Sequence, residues 1–121
     1  MPRPGRYTGR ADFGEGLSFV LSPDGTVISR FTITRLELHC RGGVLAIRKL
    51  VLPPFPVRPD GSFNAVLVGR GGGIRQVSRI QGRFRPPARA YVSVAVSVSH
   101  RAIGKCRYFG GRLRWHARHR G

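Results

Sequence analysis

Apolar residues along this 121-residue chain recur with a period of two almost throughout, and the runs end at Gly, Pro or Pro-Asp-Gly. Alternate residues of a β-strand share a face, so the pattern predicts strands with one apolar and one polar side. No i, i+3, i+4, i+7 stripe of an amphipathic helix stands out. Strands are expected over residues 6–10, 17–21, 26–40, 44–52, 62–68, 74–85, 89–100 and 112–119. Ser22-Pro23-Asp24-Gly25 and Pro59-Asp60-Gly61 read as turns, because Pro fixes φ, Asp bonds to the local backbone and Gly accepts φ > 0. Their similar surroundings are read as two hairpins sharing a favourable turn, in preference to an internal duplication. Pro53-Pro54-Phe55-Pro56 ends the fourth strand, since Pro cannot donate to a ladder, and Gly69-Arg70-Gly71-Gly72-Gly73 reads as a flexible tip.

The long strand over 26–40 changes phase. Val27, Phe31 and Ile33 share one parity, and Leu36, Leu38 and Cys40 the other, which requires a β-bulge near Thr34-Arg35 or a break. Bent strands of this kind close barrels or turn sandwich corners. The chain is therefore expected to be all-β, with little or no helix: one antiparallel β-barrel or β-sandwich of about eight strands over 1–121, with 1–5 and 119–121 as flexible ends.

Charge changes the picture from fold to partners. Twenty-two Lys and Arg oppose five Asp and Glu, a formal +17, and Lys49 and Lys105 are the only lysines. Such an imbalance creates a field that attracts polyanions. The 40% hydrophobic content lies in periodic runs, which argues for a folded chain rather than a disordered one. No stretch approaches the roughly 18 apolar residues of a membrane span, so a soluble protein is expected. The basic residues 1–6 lead into no apolar region, so no signal peptide is read; the chain is either cytoplasmic or a mature exported segment.

Strand parity sorts the arginines. Over 74–85, Arg75, Arg79, Arg83 and Arg85 share one face while Ile74, Ile80 and Phe84 take the other. Over the last strand, Arg112, Arg114, His116, Arg118 and Arg120 line one face, and Leu113, Trp115 and Ala117 face inward. Guanidinium forks ordered in this way suit phosphate, sulfate or carboxylate groups along an anionic polymer or surface. The competing reading is a face charged only for solubility and edge protection. It explains less well why no acidic residues are interspersed, since like charges across a ladder are destabilising.

Binding of single-stranded nucleic acid would add exposed aromatic rings to a basic groove. The candidates are Tyr7, Phe13, Tyr91, Tyr108 and Phe109, with Tyr108 and Phe109 favoured by their loop context; Phe19, Phe31, Phe63, Phe84 and Trp115 alternate as core.

The inventory of chemistry is short. Asp24 and Asp60 are used in turns, which leaves Asp12, Glu15 and Glu37, and Asp12-Phe13-Gly14 lacks every other kinase element. His116 and His119 are three apart and point to opposite faces of a strand, so no metal site is expected; no cofactor is implied either. His39 and Cys40 diverge for the same reason. Cys40 and Cys106, far apart and outside any C-x-x-C, read as one disulfide rather than a redox or zinc site. The alternative is two small buried hydrophobes in a reducing compartment.

The opening Gly5-Arg6-Tyr7-Thr8-Gly9, Leu17-Ser18-Phe19-Val20 before a D-G turn, Cys40, Asp60-Gly61-Ser62-Phe63, Gly82-Arg83-Phe84, Cys106 and Trp115 together resemble small exported β-domains of high-GC bacteria. The resemblance implies an all-β fold, a Cys40 to Cys106 disulfide and removal of a leader, and it carries no active site. The expected function is non-enzymatic contact with an anionic polymer or cell-envelope surface, in a secreted or envelope location. The alternatives are an intracellular single-stranded nucleic-acid binder and a small-ligand barrel.

Overall fold

The computed structural model of the chain describes residues 2–71, 73–109 and 111–121. It contains ten antiparallel strands and, among the described residues, no helix: β1 (Gly5–Arg10), β2 (Gly16–Leu21), β3 (Val27–Cys40), β4 (Gly43–Leu52), β5 (Phe55–Pro56), β6 (Ser62–Gly71), β7 (Ile74–Arg85), β8 (Arg89–His100), β9 (Gly104–Tyr108) and β10 (Leu113–His119). Six of them close a barrel in the order β10-β1-β2-β3-β9-β8 and back to β10. Two strands are long enough to take two partners end to end on one edge: β8 carries β9 and β10, and β3 carries β2 and β9. Their other edges carry the outlying strands, β7 then β6 on β8, and β4 with β5 on β3.

The pattern of alternation thus gives an all-β barrel, with ten strands where about eight were expected. The added ones are β5 and β9. Phe55 lies among prolines, yet it pairs with Ile28 and is buried. In β9 only Cys106 is buried, so five residues offered too little apolar alternation to read as a strand. Gly69 to Gly71, expected in a flexible tip, extend β6 opposite Gln76 to Ile74, and Gly72 lies outside the described residues. Gly5 and His119, set among the expected flexible ends, lie in β1 and β10.

The phase change in β3 occurs twice. The inward set is Ile28, Phe31, Ile33, Leu36 and Leu38, so inward residues are three apart across Arg30 and again across Arg35. Those two arginines adopt φ of 51° and 60°. The slip at Arg35 was legible in the sequence. The slip at Arg30 coincides with a register shift against β2 between Ser18 and Val20, and it turns Val27 outward and Ile28 inward. The bulge at Arg30 adds twist that helps close the barrel; at Arg35 the register against β4 does not shift, because β4 changes phase opposite it between Ile47 and Leu50.

A closed ring of aromatic side chains ties the outlying strands to the barrel. Centroid distances run Tyr7–Phe19 5.2 Å, Phe19–Phe31 6.0 Å, Phe31–Phe55 5.5 Å, Phe55–Phe63 6.0 Å, Phe63–Phe84 5.6 Å and Phe84–Tyr7 5.3 Å. Such pairs add about 0.5–1.5 kcal/mol each beyond their burial. Tyr7, counted from sequence among exposed rings, is fully buried, and its hydroxyl donates to the Arg3 carbonyl at 2.7 Å.

Cys40 and Cys106 form a disulfide between directly paired positions of β3 and β9. It closes 66 residues of sequence, and by loop entropy contributes about 4 kcal/mol. A disulfide is compatible with an extracellular location. No helix of the described residues is long and apolar enough to cross a membrane.

A cationic sheet face as the candidate functional site

Paired residues of adjacent antiparallel strands project to the same side, so the register of β7, β8, β9 and β10 shows where the two arginine ladders stand. Arg85, Arg89 and Arg118 form one row across the sheet; Arg83, Tyr91 and His116 form the next; Gln81, Ser93 and Arg114 the third. Beyond the end of β10 the rows continue through β9 as Val77, Ser97 and Arg107, then Arg75, Ser99 and Lys105. The ladders predicted on separate strands therefore lie on one continuous face, either side of β8. Two strand spacings separate them, about 9.5 Å.

Arg112 and Arg120 flank β10 rather than belong to it. Arg112 Nε donates to Ser93 Oγ at 2.6 Å, which draws this guanidinium toward β8, and its Nη2 is buried with no hydrogen-bond partner among the described residues. Arg120 Nε donates to Thr8 Oγ1 at 2.6 Å. The Arg85 guanidinium lies 5.1 Å from the Tyr91 ring centre, and His116 meets the same ring edge-on at 4.6 Å. Gln81, Arg83, Tyr91, Ser93, Arg114 and His116 surround a shallow depression of about 380 Å³.

No carboxylate stands in the described rows of this face. Residues 61–121 contain no Asp or Glu. Asp60, at the turn before β6, is held below the usual carboxylate range chiefly by the Ser62 hydroxyl and amide, with smaller effects of Arg83 and Arg58. Asp24 is lowered in the same way by Ser22 and Thr26, so both act as turn formers.

The other three carboxylates gather at the opposite kind of site, one end of the barrel. Glu15 is buried; its Oε1 accepts from the Phe13 amide at 3.2 Å and its Oε2 from the Tyr108 hydroxyl at 2.8 Å. Trp115 Nε1 donates to the Glu15 carbonyl at 3.0 Å. Burial first, then the Glu15 hydrogen bond and the charges of Glu15 and Asp12, pushes Tyr108 up to about 12. Tyr108 is thus a clasp between β9 and the β1–β2 turn, whereas Phe13 and Phe109 stand out in solvent. Glu37 and His39 line the same shallow pocket as these rings, and His39 lies 5.3 Å from Phe109. Carboxylates beside Phe109 repel a nucleic-acid backbone there.

His116 faces outward beside Tyr91, while His119 packs edge-on against buried Tyr7, so the two do not converge. Among the described residues no group of three or more His, Cys, Asp or Glu is placed to hold a metal ion. The barrel interior is filled by Trp115, Tyr7, Phe19, Phe31, Phe63 and aliphatic neighbours. A depression of about 590 Å³ lies outside it, between the β3–β4 and β8–β9 turns. Sequence parity found the two ladders but not Arg89, Lys105 and Arg107. The parity of 89–99 set Arg89 outward, whereas Lys105 and Arg107 lie in β9, which was not read as a strand, and strand order alone sets them beside the ladders. No protein-family model, no curated protein and no solved structure matches this chain.

Proposed function

We propose that the protein is a non-enzymatic binder of anionic polymers, working in a secreted or cell-envelope setting through the outer face of β7, β8, β9 and β10. One observation carries this reading: Arg75, Arg79, Arg83 and Arg85 face Arg114 and Arg118 across β8 with no carboxylate between. Neighbours within one ladder, such as Arg83 and Arg85, stand about 6.6 Å apart, inside the roughly 8 Å Debye length at physiological salt, so these guanidinium groups repel one another until a polyanion or its counterions neutralise them. Solubility alone asks for interspersed signs, not a single-sign face. The disulfide fits an oxidising location. Binding proceeds by bidentate contacts to anionic groups and release of their counterions.

Affinity for a sulfated glycan or a single-stranded oligonucleotide is therefore expected to fall steeply with salt, by roughly 300-fold between 50 and 200 mM if six groups are neutralised. The double variant Arg83→Gln, Arg114→Gln is expected to weaken binding and flatten that slope, as read by fluorescence anisotropy. Binding indifferent to salt would overturn the proposal. A second reading, single-stranded nucleic acid, draws support from Tyr91, which lies on the cationic face where Tyr108 and Phe109 do not.

A further inference from the structure

We infer that β8 is the floor of a groove that seats one linear anionic glycan lying along the strand. The inference rests on the polyanion reading above and names its ligand. Outward positions of β8 from Ser93 to Ser99 are Ser93, Ala95, Ser97 and Ser99, all short and all partly buried although they lie on the outer face. They are flanked on β7 by Gln81, Arg79, Val77 and Arg75, and on the other edge by Arg114, Arg107 and Lys105. Arg75 and Arg79 stand on β7, and Lys105, Arg107 and Arg114 on β9 and β10, all exposed. The floor runs for about 20 Å, and its walls spring from strands about 9.5 Å apart. That width admits a single chain and leaves a flat lipid surface resting on the guanidinium tips.

The chemistry of the floor selects among linear polyanions. Three serine hydroxyls each donate and accept, which complements the hydroxyl groups of sugar rings, while the walls take sulfate, phosphate or carboxylate substituents. Arg112 already reaches over the floor to Ser93, which sets one more guanidinium beside it. A single-stranded nucleic acid needs rings on which successive bases stack. Here the floor has Tyr91 alone, at one end, with Arg85 and His116 already against it.

The full chain is titrated, over the same series of salt concentrations, with a heparin-derived oligosaccharide, an oligodeoxythymidylate of similar length and phosphatidylglycerol vesicles. Ala95→Leu and Ser97→Leu fill the floor without changing charge. Each is expected to weaken oligosaccharide binding at least about tenfold, the loss of roughly 1.4 kcal/mol, while vesicle binding and the salt slope stay as in wild type. Amide shifts induced by the oligosaccharide are expected to concentrate on 93–99, which tests the groove even if a leucine variant fails to fold. Floor variants that bind the oligosaccharide as wild type does, or shifts spread evenly over the basic surface, overturn the groove and leave the polyanion reading standing. Tighter binding of the oligonucleotide, lost in Tyr91→Ala, overturns the glycan in favour of nucleic acid. Absence of salt-dependent binding to all three probes overturns both readings.

Discussion

Single residues decide two features of this molecule that composition hides. Gly82 lies in β7 directly over the Phe63 ring, and a Cβ there would collide with that ring and with the Tyr91 carbonyl. Gly82→Ala is expected to cost about 1–3 kcal/mol as an overpacking change, measured by urea denaturation, even though β-strand propensity alone favours alanine over glycine. Tyr108 is the second case. The folded state holds its phenol proton up to about pH 12, whereas an unfolded tyrosine releases it near 10. Above about pH 10 the unfolded state therefore binds fewer protons, so stability is full below that value and is lost as pH rises toward 12. Tyr7, raised by burial, acts in the same direction. Tyr108→Phe is expected to lower stability at pH 7, by loss of the Glu15 hydrogen bond, and to flatten the decline between pH 10 and 12. A variant that declines as steeply as wild type in that window contradicts the clasp.

At the scale of elements, β3 shows how far a strand is readable. A non-glycine residue at positive φ is costly, and Arg30 and Arg35 both adopt one because the inward set must step by three. Arg35→Gly, which relieves that conformation, is expected to be neutral or stabilising by up to about 1 kcal/mol, while Arg35→Val is expected to destabilise, both by thermal melts. The step at Arg35 was visible because Ile33 and Leu36 bracket it. The step at Arg30 was hidden because Val27 offered a plausible inward residue one place from Ile28. Short pieces were hidden for another reason: β5 owes its strand form to the edge of β3, and β9 to the edges of β3 and β8, not to their own alternation. The arginine ladders lay between these cases. Their parity was legible, since Leu113, Trp115 and Ala117 fixed it, but their union on one face depends on β8 entering between β7 and β10, a long-range pairing with no local signature.

For the molecule as a whole, the six-stranded closure sets the order in which structure becomes possible. β10 is the strand that joins β1 to β8, and it lies at the far end of the sequence from β1. Until residues 113–119 pair, both of those strands present open edges, the condition that templates pairing with other chains. Folding dominated by such long-range pairings is slow, in the range of roughly milliseconds to seconds. A chain lacking 113–121 is expected to stay unfolded or aggregate by circular dichroism and light scattering, and refolding of the full chain is expected to show no protected β1 amides before β10 is protected in pulsed hydrogen exchange. The high like charge then acquires a use independent of any ligand: during the interval before closure, electrostatic repulsion between chains keeps two unsealed barrels from completing each other.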